Sequence, residues 1–291
     1  VLFVGSNING ATRWLNIAGV SFQPSELAKY VIVFFLAMMI DKYGGIRKNW
    51  KIPLIYLASA AIFALLVYKE NNLSIASIIM IVAFIMVFVS GMSIKEACTL
   101  IGTGGILGTV GIFSAQYRID RFVSFLNPWK YADKEGYQLV HSLYAIGSGG
   151  LFGVGLGNSK QKALYMPEPH NDFIFAIIGE ELGLIGCIAV IAIFVVLIVA
   201  GIKVASRAKD RYGKLLATGI ISVIAVQAII NIAVVTGSMP VTGVPLPFIS
   251  YGGTSLVFNL AAMGVLLNIS RQCKSPKDEI EEKIIKSKMN V

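Results

Sequence analysis

Apolar runs about twenty residues long recur through this chain, and no other feature limits its folding as much. A helix rising about 1.5 Å per residue needs that length to cross the hydrocarbon core of a bilayer. The runs predict helices near 23–40, 52–68, 73–91, 98–115, 173–202, 215–236 and 254–270. The chain opens on Val1 within what reads as the end of a further apolar run. The expectation is an all-α, polytopic transmembrane bundle of seven complete spans plus a remnant, a single integral membrane domain over 1–291 whose first spans are missing. Charged residues make up 14% of the chain, where a soluble domain carries roughly a quarter.

The net charge of +9 is not spread as a nucleic-acid-binding face would be. Four Lys or Arg lie in 41–51, five in 203–214 and six in the tail 271–291, whereas 5–20 holds only Arg13 and 237–253 holds none. Basic residues gather on the cytoplasmic side of membrane proteins. This places the basic linkers and the tail inside, and 1–22, 69–72, 116–172 and 237–253 outside. Cys98, Cys187 and Cys273 stand in or beside apolar runs without metal-binding spacing and read as packing residues.

Ionisable groups inside apolar segments are expensive and usually face protein or a wet cavity. "FQPSELAK", residues 22–29, opens a predicted helix with Pro24 at its start, and Glu26 and Lys29 share a face at three-residue spacing. That pair reads either as a helix cap with a surface ion pair or as the lining of a polar cavity. "PEPHNDFIFAIIGEELG", 167–183, sets Asp172 at a membrane boundary, where a general base must stand to meet an external substrate. On an ideal helix Glu180, rather than Glu181, turns toward the side of Asp172. His170 is a second base or a loop residue. Three prolines and four glycines in 236–255 preclude regular helix, and irregular backbone at membrane depth needs protein or water around it.

The outer segment 116–172 is too long for a plain connection. Its run "GSGGLFGVGLG" is either a glycine-rich phosphate cradle or a tight turn against the bilayer. Arg118, Arg121, Lys130, Lys134, Lys160 and Lys162 are basic on the side that the charge rule leaves poor, which suits an anionic ligand as well as a solvated loop.

"NGATRWLNIAGVSFQPSELAK", "GYQLVHSLYAIGSGGLFGVGLGNSKQK", "PEPHNDFIFAIIGEELG" and "PVTGVPLPFISYGGTS" together resemble the SEDS family of FtsW, RodA and SpoVE proteins, over essentially the whole chain. "NPWKYADKEGYQLVHSLYAIGSGG" is closer to the FtsW/SpoVE branch. The resemblance implies about ten spans in a full-length member and a peptidoglycan glycosyltransferase of the bacterial cytoplasmic membrane that polymerises lipid II onto a nascent glycan strand. It implies Asp172 as catalytic base, Glu26 and Lys29 as a catalytic pair, and a class B penicillin-binding protein as partner among the membrane lipids. Arg13, Lys160, Lys162, His170, Glu180 and Ser250 stand as substrate-binding candidates. A divalent metal, Mg²⁺ or Mn²⁺, shared between Asp172 and the leaving pyrophosphate fits the chemistry. "KENNLS" at 69–74 departs from a Pro-Asp-Leu-Gly segment of many members, so that Asn72 replaces a carboxylate. The rival functions are a lipid II flippase, which needs polar groups reachable from both faces, and a non-catalytic division or sporulation scaffold.

Overall fold

The computed structural model describes residues 6–8, 11–17, 20–44, 51–167 and 169–273. Every predicted apolar run forms a helix: α1 (Pro24–Tyr43), α2 (Lys51–Lys69), α3 (Leu73–Val89), α4 (Ile94–Phe113), α7 (Ile174–Arg207), α8 (Arg211–Val235) and α9 (Gly253–Arg271). Of these, α2, α4, α7, α8 and α9 are long and apolar enough to cross a membrane. Arg47, Lys48 and the tail beyond 273 lie outside the described residues.

Local chemistry sets the helix starts. Pro24 begins α1 with Glu26 in its first turn, where a carboxylate complements the helix dipole. Ser93 and Glu96 form a reciprocal capping box, which starts α4 four residues before the expected position. Asp210 Oδ1 accepts from Gly213 N at 3.1 Å and starts α8. Asn72 Oδ1 accepts from Ile75 N at 3.2 Å. The residue that replaces a carboxylate in "KENNLS" is therefore the cap of α3.

The central element is α8, which packs against α1, α3, α7 and α9 and against a further helix, α6 (Tyr137–Gly149). Ile220, Val223 and Ile224 are wholly buried there, and Ile32, Val33 and Leu36 of α1 and Ile78, Ile79 and Met86 of α3 face the same core. Gly219 makes this approach possible, because a Cβ there would collide with Val33 and Met86. Small residues let helix backbones come close where lipid supplies no hydrophobic drive between helices. Apolar side chains on α2, α4, α7 and α9 point outward, among them Ile62, Leu65, Ile106, Ile193, Val196 and Leu260.

Two regions differ from the reading of the sequence. Residues before α1 form an antiparallel sheet, β1 (Ser6–Ile8), β2 (Ala11–Ile17) and β3 (Val20–Phe22), in the order β1-β2-β3. It is tied to the bundle by Thr254 Oγ1 donating to Ser21 O at 3.0 Å and by the edge-on contact of Phe22 with Phe258. The outer segment folds into α5 (Gln116–Leu126), a short turn at Pro128–Tyr131, α6 (Tyr137–Gly149) and a single wide helical turn at Gln161–Tyr165.

The helix α7 is broken at Gly183, whose φ of 68° and ψ of −164° are non-helical. In a continuous helix the amides of Leu184 and Ile185 would bond to the carbonyls of Glu180 and Glu181. Here Val154 N and Gly155 N donate to those carbonyls at 2.9 and 3.1 Å, while Leu184 N and Ile185 N donate to Gly150 O and Leu151 O at 2.9 and 3.3 Å. The glycine-rich run is thus a plug that satisfies the break, and two of its amides are engaged by α7 rather than open to a phosphate. A Cβ at Gly149 or Gly153 would collide with the Gly179 or Glu181 carbonyl.

Gly219→Val should destabilise the bundle by about 1–3 kcal/mol, the usual effect of overpacking. The thermal midpoint of detergent-purified protein should fall clearly. An unchanged midpoint would show that α1, α3 and α8 do not depend on this approach.

Candidate functional site

The buried face of α1 carries the pair that the sequence placed on one side of the helix. Lys29 Nζ donates to Glu26 Oε2 at 2.9 Å, with the two side chains 0% and 3% exposed. This is a desolvated ion pair inside the bundle and not a surface one. One residue on, Tyr30 Oη donates to Asn259 Oδ1 of α9 at 2.6 Å. On α8, Gln227 and Asn231 are also fully buried. The core between α1, α8 and α9 therefore holds polar groups at the end where α1 begins and α8 finishes.

Asp172 stands just before α7 and is half-buried. Its carboxylate oxygen Oδ2 comes close to Gly243, which has a φ of 69°. Its backbone carbonyl accepts from Asn231 Nδ2 at 2.7 Å, and the same nitrogen donates to Val244 O at 2.8 Å. A single amide on α8 thereby fixes both the 170–173 segment and the irregular wall of 236–252. Tyr251 N donates to His170 O at 2.9 Å, and the His170 and Tyr251 rings meet edge-on, which ties the wall to the loop a second time.

The depth of the ion pair follows from helix register. Gly219 faces Val33 across the α1–α8 contact, and the two helices run in opposite directions. At about 1.5 Å per residue, Asn231 lies roughly 8 Å outward of Glu26 and roughly 12 Å outward of Lys29 along α8. Asp172 is at the rim of the polar core, with the Glu26–Lys29 pair beneath it.

Several candidates have other partners. Arg13 Nε donates to Glu70 O at 3.2 Å, and its Nη2 also donates to Asn71 O, so the side chain caps the carbonyl end of α2. Burial holds the Arg13 guanidinium below its usual range and pushes the Glu70 carboxyl above its own. Ser250 Oγ accepts from Leu246 N at 2.7 Å and closes a turn of the wall. Arg118 donates to Tyr68 Oη, Tyr117 Oη, Gly111 O and Ser114 Oγ and clasps the α4–α5 corner. Glu180 is turned onto residues 159–161 of the loop: Ser159 Oγ, Lys160 N and Gln161 N all donate to its carboxylate. That orientation departs from a cavity shared with Asp172, because the loop amides occupy its side of the helix. Lys160, Lys162 and His170 keep exposed side chains, and Lys162 Nζ lies 3.8 Å from Glu181 Oε1. Beside them is a shallow hollow of about 400 Å³ lined by Tyr137 and by residues 163–167.

Asn231, Tyr30, Asn259 and Ser159 were not singled out from the sequence. The usable signal for Asn231 and Asn259 is an amide inside an apolar helix, which must find a partner.

Among the described residues no group of three or more His, Cys, Asp and Glu side chains converges as a metal site. Asp172 offers one carboxylate, which suits a cation that takes most of its ligands from phosphate and water.

Together these features define a polytopic helical membrane protein with a desolvated acid–base pair in its core and a carboxylate at the rim, walled by proline-rich irregular backbone. A family model described as "Cell cycle protein" and covering FtsW, RodA and SpoVE matches residues 1–275. The chain belongs to that family and is a multi-pass protein of the bacterial cytoplasmic membrane. It is 45% identical over 273 residues to stage V sporulation protein E of Bacillus subtilis, covering 92% of this chain and 74% of that one. It is 37% identical over 276 residues to a Geobacter sp. (strain M18) protein named "Probable peptidoglycan glycosyltransferase FtsW", covering 93% and 74%. These relatives support the FtsW/SpoVE branch. A solved structure described as "Structural coordination of polymerization and crosslinking by a peptidoglycan synthase complex" matches with a TM-score of 0.78 at 26% identity, over 94% of this chain and 77% of that one.

Glu26→Ala and Lys29→Ala should each destabilise the protein strongly, because removing one partner of a buried pair leaves a charge uncompensated at about 3–5 kcal/mol. The double variant should lose less than the sum of the two. A double-mutant cycle on thermal or chemical unfolding measures this coupling, and strict additivity would mean that the two charges do not stabilise one another.

Proposed function

We propose that this chain polymerises lipid II into glycan strands at the outer face of the membrane, with Asp172 as general base. The observation that carries the reading is the placement of Asp172: half-buried at the start of α7, its main chain held by Asn231 and its carboxylate beside Gly243. A base must be fixed within hydrogen-bond reach of the proton it removes. The family relationship and the names of the relatives support the reaction class.

In this mechanism the Asp172 carboxylate takes the proton of the acceptor sugar's C4 hydroxyl as that oxygen bonds to the anomeric carbon of the donor. The bond from that carbon to the undecaprenyl pyrophosphate breaks, and the pyrophosphate leaves with the bonding pair. The exposed ammonium groups of Lys160 and Lys162 are suited to the charge developing on the leaving group, where preorganised cations have the largest effect. His170, exposed and held by its carbonyl to the wall, contributes to the rim of the site. Asp172 would hold an Mg²⁺ or Mn²⁺ together with substrate phosphate, and such an ion would neutralise leaving-group charge. Glu26 and Lys29, some 8–12 Å deeper by helix rise, set the electrostatics beneath the base. A class B penicillin-binding protein is the proposed partner, supported by the match to a synthase complex that couples polymerisation with crosslinking.

Asp172→Asn retains size and removes basicity. In a lipid II polymerisation assay with full-length protein, the rate should fall about 10²–10⁴-fold while the thermal midpoint stays near that of wild type. Normal glycan synthesis by this variant would remove the assignment of the base, and headgroup movement across the bilayer without strand formation would favour the flippase reading.

Sidedness is tested separately. In a background lacking Cys98, Cys187 and Cys273, an impermeant maleimide on intact cells should label a cysteine at the exposed Lys134 and spare one at the exposed Ser206. The reverse pattern would put Asp172 on the wrong face for outward polymerisation.

A further inference from the structure

We propose that Glu180 is a positioning residue for this polymerisation: a carboxylate that acts on substrate only through the loop it holds. The proposal rests on the reading of the chain as a lipid II polymerase. Glu180 is 2% exposed. Its Oε2 accepts from Ser159 Oγ at 2.5 Å and its Oε1 from Lys160 N at 3.0 Å, while Gln161 N lies 3.4 and 3.3 Å from the two oxygens. Ser159 Oγ in turn accepts from Lys162 N at 3.0 Å. The consecutive residues 159–162 are thus tied, directly or through one hydroxyl, to a single carboxylate on α7.

The amides involved are those that open the helical turn at Gln161–Tyr165. Unpaired N–H groups at the start of a turn attract negative charge. Here the protein supplies that charge from its own helix, so these amides are occupied and do not receive the substrate's phosphates. Both oxygens of Glu180 face backbone or hydroxyl donors, which leaves direct contact with substrate to other residues.

The same turn is pinned from its other side. His141 Nδ1 and Gln161 Oε1 of α6 and the turn are 2.7 Å apart, and Tyr137 Oη donates to Tyr165 O at 2.7 Å. Held between α6 and α7, the turn displays the ammonium groups of Lys160 and Lys162 and lines the hollow with residues 163–167 before the chain reaches His170 and Asp172. A flexible loop would lose conformational freedom on each binding event. The carboxylate removes that loss in advance, so its effect falls on the recognition of a pyrophosphate-bearing lipid and not on proton transfer.

The test uses full-length Glu180→Gln and Ser159→Ala, with steady-state lipid II polymerisation and amide hydrogen exchange in the same detergent. A charge-assisted hydrogen bond lost from the loop should raise the KM for lipid II about tenfold in Glu180→Gln, with a smaller change in kcat and an unaltered pH dependence. Amides 160–162 should exchange about tenfold faster or more, and those of the α8 core should not change. Ser159→Ala, which keeps the carboxylate, should shift both readouts the same way by less. Unchanged exchange at 160–162 would overturn the proposal, as would faster exchange with KM held within about twofold of wild type. A fall in kcat at constant KM would also overturn it, since that marks an effect on the chemical step or a loss of active enzyme and not on substrate recognition. If wild type makes no glycan, the polymerase reading falls with the claim about KM, and exchange alone decides whether Glu180 holds the loop.

Discussion

The interruption of α7 at Gly183 is the constraint on which the outer half of this molecule depends. Two helical hydrogen bonds are opened inside an apolar environment, and each of the four freed groups finds a partner in 150–155. A buried backbone group without a partner costs about 1–3 kcal/mol or more, so the break and the glycine-rich run stabilise each other or neither persists. Glycine is required at Gly183 and Gly153 by positive φ as well as by close approach. The plug fixes the end of α6 against α7, the Glu180 carboxylate fixes the next turn, and the chain is then led to Asp172.

The break also accounts for the acids in so apolar a segment. Glu180 and Glu181 precede Gly183, and the part that follows, from Leu184 onward, has no charged residue before Lys203. The carboxylates therefore belong to a half-helix that packs under a folded loop, where loop amides and Lys162 meet them. Glu26 and Lys29 follow the other rule: buried deeply, they are tolerated because they neutralise each other. Asp172 lies between these two environments, half-exposed at the rim, which suits the proposed role of general base.

Much of the helical framework was legible because about twenty apolar residues in succession have few alternatives. The Glu26–Lys29 pair was legible from three-residue spacing, and Asp172 from its position at a boundary. What escaped has a physical reason in each case. The helix α6 carries His141 and Ser142 inside its apolar face and ends in glycines, so it reads as loop until the partners of those side chains are known. The sheet at 6–22 is built from strands of three to seven residues, too short for an alternating pattern to stand out. Gly183 looks like any tolerated glycine in "EELGLIG", and only the hydrogen bonds of 150–155 reveal a break. Arg13 and Arg118 appeared as charges awaiting an anion, whereas backbone carbonyls, which sequence does not display, had claimed them.

The plug at the α7 break imposes an order on biogenesis. Residues 150–155 leave the ribosome before 180–185, so the amides of Val154 and Gly155 can only bond to water until the later segment is threaded into the bilayer. The loop cannot close on the carbonyls of Glu180 and Glu181 before α7 has bent, and α7 has no cause to bend until the loop is there to receive it. The plug and the break therefore close together, once the whole of 150–185 has been made. The outer side of this protein is completed only once the first turns of α7 are in place beside the loop.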